Sequence, residues 1–316
     1  MLADIATRPA WWARPRHTGA VRIVSLLPSA TEIVYALGLD DDLVGVTHEC
    51  DWPPAARTKR IVSTSALAPG TSPSEIDRAV SASLGEGDPI YRLDDDAVRE
   101  LRPDLVLTQD LCAVCAVPSG HVTAALDVLG HPAHVLSLDP NSLDDVIDGV
   151  MQVGRVTETV RRAATIVEDL QRRLARVRET TAGLARPSTF ALEWSDPPFN
   201  GGHWVPEMIE AAGGEPVLSS RGVPSVRVTW EDIADAAPDV VAFMPCGYGL
   251  EEAAAEGAGL LGRSEIGPAT RVFAFDASAY FSRPGPRLVD GVEILASALH
   301  PDVVGPWPAD AVRRLR

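Results

Sequence analysis

The sequence predicts an α/β protein of two lobes joined by a long helix, and three observations carry that prediction. A chain of 316 residues is too long for one ordinary hydrophobic core and suits two domains of roughly 150 residues each. Short β-branched runs alternate with helical patterns in both halves, which marks largely parallel sheets. Between the halves runs one amphipathic stretch over 142–185.

The first lobe is residues 20–141. Val21 to Leu27 reads as a strand, Pro28-Ser29-Ala30-Thr31-Glu32 as a tight turn, and Ile33, Val34 and Leu37 as the apolar face of a helix that Gly38 closes. Leu43 to Val46 is a second strand, and consecutive prolines at Asp51-Trp52-Pro53-Pro54 stop any regular element after it. Arg102 to Thr108 is a third strand, and it runs directly into Gln109-Asp110-Leu111-Cys112-Ala113-Val114-Cys115. His134 to Leu138 completes the lobe.

Ser142-Leu143-Asp144-Asp145 opens the linking helix with a capping-box-like signal, and apolar residues then recur at helical spacing as far as Val177. Gly154 marks a place for a bend or split, and Gly183 and Pro187 end the run. The second lobe, 186–305, contains strands at Thr189 to Glu193, Ala237 to Met244 and Arg271 to Phe275, with a terminal helix from Pro286 to Leu299. Residues 1–19 and 306–316 read as tails.

Composition excludes several function classes. Lys+Arg 28 against Asp+Glu 44 gives a net charge of −16, a field that repels phosphate backbones and anionic lipid headgroups, so nucleic-acid binding is not expected. No run of 18 or more uncharged apolar residues is present, so membrane insertion is not expected either. Asp4, Arg8, Pro9, Arg14 and Arg16 interrupt the first 20 residues, which leaves no apolar signal core and predicts a cytoplasmic location. Neither a GxSxG elbow, a P-loop nor a strand-linked GxGxxG occurs, so the standard hydrolase, ATPase and dinucleotide-enzyme readings lose support.

The cysteines are few enough to be read one by one. Cys50, Cys112, Cys115 and Cys246 each fall just past a predicted strand, where ligands gather in open α/β sheets. Four thiolates complete a soft-metal site. One CxxC with two distant single cysteines, Cys246 flanked by Pro245 and Gly247, fits an iron–sulfur cluster better than the paired knuckles of structural zinc, which is the alternative. A Cys112/Cys115 redox pair and unrelated buried thiols are the other two readings.

Other residues are candidates for ligand contact. His48 and Glu49 adjoin Cys50, and Asn200-Gly201-Gly202-His203-Trp204 leads into a helix whose first amides suit an anion, with His203 as donor. Glu193 and Asp196 read as an acid–base pair or, for Asp196, a turn cap. Arg283 and Arg287 read as a carboxylate clasp or a surface ion pair, and Trp52, Trp194, Trp204 and Tyr280 as the wall of a planar ligand or as plain packing.

Over residues 20 to 300 the chain resembles the class III, single-helix-linked solute-binding proteins of ABC transporters, and among them the cobalamin-binding kind. The resemblance runs through Ser25-Leu-Leu-Pro-Ser-Ala-Thr-Glu-Ile33, Val44-Gly-Val46, Asp51-Trp-Pro-Pro54, Val62-Ser-Thr64, Pro103-Asp-Leu-Val106, Asp196-Pro-Pro-Phe199, Gly213-Gly214 and Phe281 to Arg287. It implies two Rossmann-like lobes, a rigid hinge, and a small-molecule ligand in the cleft between lobes. Cobalamin binders carry aromatics where this chain has Glu49 and Ser65, while Tyr280 matches a cleft aromatic. Glu75 and Glu210 match the acidic positions that dock such proteins to a permease. Two functions are therefore expected: a binder of a large cofactor-type ligand such as a corrinoid, or a metalloenzyme or redox protein built on a cysteine-held 4Fe-4S or zinc centre.

Overall fold

The computed structural model describes residues 21–65, 91–109 and 133–316, together with Glu75, Arg78 and Val122. The chain divides into two compact units, Met1–Gly70 with Ala79–Asp139, and Thr71–Arg78 with Pro140–Arg316.

The first unit is built on a six-stranded sheet. Its strands are β1 (Ile23–Ser25), β2 (Leu43–Thr47), β3 (Arg60–Ser65), β4 (Tyr91–Leu93), β5 (Leu105–Thr108) and β6 (His134–Ser137), in the order β4-β3-β2-β1-β5-β6. Every pairing is parallel except β3 with β4. The central strands β1 and β5 are buried throughout, in keeping with their largely apolar sequence. Helix α1 (Pro28–Ala36) starts on Pro28, whose fixed φ and missing N–H suit a first helical turn. Helix α2 (Asp95–Leu101) is capped by Asp94, whose side chain accepts the Ala97 N–H at 2.9 Å. Its Leu101 lies over Gly45 of β2, where a Cβ would come within 2.8 Å of the leucine Cδ1.

The second unit opens with the segment expected to be one long helix, and the structure corrects that expectation. The capping box forms as read, with Ser142 accepting the Asp145 N–H and Asp145 accepting the Ser142 N–H. The helix then stops: α3 (Leu143–Val156) and α4 (Val160–Thr181) are separated by Glu158 in the left-handed region at φ +59°. The Thr157 and Thr159 amides close the end of α3 on the carbonyls of Val153 and Gly154. Gly154 makes the turn possible, since a Cβ there would lie 2.5 Å from the Ala163 Cβ of α4.

The sheet of this unit contains β7 (Ser188–Ser195), β8 (Pro198–Asn200), β10 (Val240–Phe243), β11 (Arg271–Phe275) and β12 (Val312–Arg314), ordered β12-β11-β10-β7-β8, with the short β9 (Glu215–Pro216) beside β7. Strands β7, β10 and β11 run parallel, and β12 closes the edge antiparallel. Residues 306–316 thus supply an edge strand where a tail was expected. The helices are α5 (Val205–Ala211), α6 (Trp230–Ala236), α7 (Leu250–Gly257), the single turn α8 (Ala277–Tyr280), α9 (Leu288–Leu299) and α10 (Pro301–Val304). Phe190, Leu192, Ile233, Val241, Phe243 and Val272 fill one core cluster. Helix α4 is fixed to α9 by Arg173, which donates to Glu293 at 2.9 and 2.6 Å and also pairs with Asp290.

Among the described residues no helix is long and apolar enough to cross a membrane.

Candidate functional site

In the second unit the ends of three parallel strands are stitched into one surface. The Met244 and Cys246 amides donate to Leu192 O at 2.9 Å and Glu193 O at 3.2 Å, which locks the loop after β10 to the end of β7. The Ser278 amide donates to Tyr248 O at 2.9 Å and adds the loop after β11. Pro245 to Tyr248 form a tight turn, closed by the Tyr248 N–H on Pro245 O at 3.0 Å. Gly247 supplies the φ of +82° that this turn needs, and Cys246 is exposed at its corner.

Glu193 lies near the end of β7 with its carboxyl group drawn away from water. Ser225 Oγ donates to its Oε2 at 2.5 Å, and the Gly202 amide donates to the same carboxylate. Burial outweighs both donors and, with the neighbouring Cys246 thiol, pushes the carboxyl up to about 8. Gly202 must be glycine for this contact, because a Cβ would lie 2.2 Å from the Ser225 amide nitrogen.

Trp194 packs edge-to-face on Tyr248 with centroids 5.9 Å apart. Its Nε1 is buried with no hydrogen-bond partner among the described residues, and so is His203 Nε2. His203 sits at φ +49° in the turn before α5, where its amide donates to Val223 O at 2.7 Å, and burial pushes its ring pKa down. Ser195 Oγ donates to Glu256, and Tyr248 shares that carboxylate; burial, together with the Glu256 charge, pushes the phenol up to about 12. Tyr280 is half-buried under Arg287, whose guanidinium lies 5.8 Å from the ring centroid, and Arg283 is likewise half-buried.

Two expected contact residues have partners within the second unit. Trp204 is 6% exposed and donates its Nε1–H to Phe281 O at 2.9 Å, so it is a core residue that pins α5 to the turn after α8. Glu210, expected at a docking surface, forms an ion pair with Arg221 of the same unit. A cavity of about 520 Å³ lies beside that pair, lined by Asp144, Arg178, Arg186, Glu207, Glu210 and Arg221, and none of the strand-end aromatics borders it. Glu75 is exposed.

In the first unit Cys50 follows β2 as expected, yet it is 3% exposed with its Sγ 3.0 Å from Thr31 Oγ1. Ser25 Oγ donates to Leu27 O and Thr31 Oγ1 donates to Ser25 Oγ, both at 2.9 Å, which leaves the Cys50 S–H as donor to Thr31. A buried thiol held this way packs as a small core group. Cys112 and Cys115 lie outside the described residues, and among those described no group of three or more His, Cys, Asp or Glu is placed to hold a metal ion. His48 is exposed with its Nδ1 3.3 Å from Thr47 Oγ1, Glu49 and Ser65 are half-buried, and Trp52 is 47% exposed.

Sequence reasoning named Glu193 and missed its partner. Ser225 lies 32 positions away, in the segment 217–228 that crosses β8 by a bridge between Phe199 and Arg227. That segment has no periodic pattern to announce a contact.

Residues 23–260 match the model of a family described as periplasmic binding protein. Vitamin B12-binding protein of Vibrio cholerae is 25% identical over 287 residues, 89% of each chain, and that of Yersinia pestis is 25% identical over 246 residues, 76% of this chain and 73% of the relative. Among solved structures, the periplasmic vitamin B12-binding protein of Vibrio cholerae superposes with a TM-score of 0.64 at 24% identity, covering 89% of this chain and 96% of that one. A periplasmic heme-binding protein from Pseudomonas aeruginosa superposes with a TM-score of 0.68 at 20% identity, covering 93% and 97%.

Proposed function

Because the chain belongs to the periplasmic binding protein family, we propose that it binds a large tetrapyrrole-type ligand, of the cobalamin or haem kind, at the C-terminal strand edges. The observation that carries this reading is the run of likeness to vitamin B12-binding proteins over 89% of the chain. The second unit supports it with matching chemistry. Trp194 and Tyr248 offer aromatic surface, and the unpartnered Trp194 Nε1–H is a donor in want of an oxygen acceptor. A corrinoid, rimmed with amide oxygens, is the first candidate, and haem the second.

Calorimetric titration with cyanocobalamin and with haemin tests the proposal. Saturable one-to-one binding of either, weakened at least about tenfold by Trp194→Ala, is the expected result, since loss of an aromatic contact of this kind removes about 1.4 kcal/mol or more. Absence of binding to both at protein concentrations of about 100 μM would overturn it.

A further inference from the structure

The cavity of about 520 Å³ in the second unit is of a size that takes a small molecule, and its walls are sorted by charge. Glu207, Glu210 and Ala211, three and four positions apart, present one face of α5 to it. At the start of α5, Glu207 Oε2 accepts the Leu143 N–H at 2.7 Å, which joins the first turn of α5 to the first turn of α3 and so brings Glu207 and Asp144 to one side. At the end of α5, Arg186 donates from Nη2 to Glu210 O at 3.2 Å and to Gly214 O at 2.5 Å. That end also meets the last turn of α4, which carries Arg178: a Cβ on Gly213 would lie 2.7 Å from the Thr181 Cβ. Two carboxylates thus line one side and two guanidiniums the other, while Glu210 and Arg221 are joined in their own ion pair.

The bonding capacity left over is of both signs. Neither the Asp144 nor the Arg178 side chain has a hydrogen bond or ion pair among the described residues, Glu207 keeps its Oε1, and Arg186 keeps the N–H groups of Nε and Nη1. A purely anionic guest would meet the two guanidiniums with Asp144 and Glu207 opposing it, and the net charge of −16 would repel it further; a purely cationic guest would meet the opposite conflict at Arg178 and Arg186. Of the lining residues only Ala211 is uncharged, which leaves little apolar wall for a large planar ligand. A dipolar guest without net charge satisfies both walls at once. We propose that this cavity is a second binding site, independent of the strand-edge reading above, for a small amino-acid zwitterion: Arg178 and Arg186 hold its carboxylate through guanidinium N–H donors, and Asp144 and Glu207 accept from its ammonium.

Calorimetric titration of the intact protein with glycine, γ-aminobutyrate and 6-aminohexanoate, which differ in the separation of their two charges, tests the proposal, with butyrate and butylamine as single-charge controls. At least one of the three amino acids should bind one to one with a Kd of about 1 mM or less, and each control at least about tenfold more weakly. Arg178→Gln and Asp144→Asn change exposed side chains that hold no partner in the fold, so both should melt as the wild type does, and each should weaken the amino acid by about tenfold or more. Absence of binding by all three at about 10 mM overturns the site. Butyrate or butylamine binding as tightly as the best amino acid overturns the dipolar specificity. Binding that survives both substitutions undiminished lies elsewhere on the protein and overturns the assignment to this cavity.

Discussion

At the strand ends of the first unit, Ser25, Thr31 and Cys50 form a chain of donors and acceptors that closes on the Leu27 carbonyl. At those of the second unit, Trp194 Nε1 and His203 Nε2 are buried without a hydrogen-bond partner among the described residues, and burial pushes the Glu193 carboxyl up to about 8. Both places are polar groups under cover. The first is satisfied, so its interactions stabilise the fold and ask for nothing more. The second is left short of partners at a cost of about 1–3 kcal/mol per orphaned group, and a fold tolerates that where a ligand completes it.

The strongest way to break the second arrangement is Gly202→Ala. The new Cβ would meet the Ser225 amide at 2.2 Å and the Pro224 carbonyl carbon at 2.6 Å, both backbone, so the 217–228 segment must lift from β8. We expect a loss of about 3 kcal/mol in the unfolding of this unit by denaturant. Gly247→Ala is the contrast: its φ is positive at +82°, yet nothing lies within 4 Å, and only about 1 kcal/mol of left-handed strain is expected.

Next comes pH. Glu193 has a folded pKa of about 8 against 4.5 for the free side chain. The folded state therefore holds the proton more tightly, so this contribution to stability is full below about pH 4.5 and is lost as pH rises through about 8. Comparing wild type with Glu193→Gln isolates it: the wild type should lose about 2 kcal/mol more between pH 5 and 9, with residual solvent access screening the rest. A parallel decline in the two proteins would remove Glu193 from the account.

How far the sequence disclosed these features depends on how local each cause is. The Ser142 and Asp145 cap was legible because a helix start is written in four adjacent residues. The parallel strands were legible because burial demands unbroken apolar runs. The break at Glu158 was legible only as a suspicion at Gly154, because its cause is a contact between Gly154 and Ala163 across a turn that carries no glycine or proline of its own. The candidate site was legible as residues and not as a site. Glu193, Trp194, His203 and Cys246 were named, yet the pairings of Glu193 with Ser225 and of Ser195 with Glu256 join positions 32 and 61 residues apart. No spacing rule reaches across that distance.

Two tryptophans separate the satisfied from the unsatisfied kind of burial within one unit. Trp204→Phe removes the donor to Phe281 O and strands that carbonyl, so a loss of about 1.5 kcal/mol in apo stability is expected with ligand affinity preserved per folded molecule. Trp194→Phe removes a donor with no acceptor among the described residues, so apo stability should hold or rise slightly while affinity falls. If Trp194→Phe destabilises as much as Trp204→Phe, the Trp194 nitrogen has an acceptor in solution and the contrast fails.

The smallest effect is expected at Cys50, and it tests the satisfied side of the comparison. Cys50→Ala removes the S–H that Thr31 accepts and leaves a gap the size of one sulfur atom, while the Ser25 and Thr31 hydroxyls keep their own acceptors. A weak thiol donor contributes little, so the loss should be about 1 kcal/mol, most of it packing rather than hydrogen bonding. Cys50→Ser keeps the donor but adds a polar group in a buried place, and should be no better. Neither change should alter ligand affinity or metal content, because the thiol is buried against Thr31. Loss of tightly bound iron or zinc on Cys50→Ala, measured by elemental analysis of wild type and variant, would show that this cysteine leaves Thr31 to serve a metal, and the distinction between the two units would have to be redrawn.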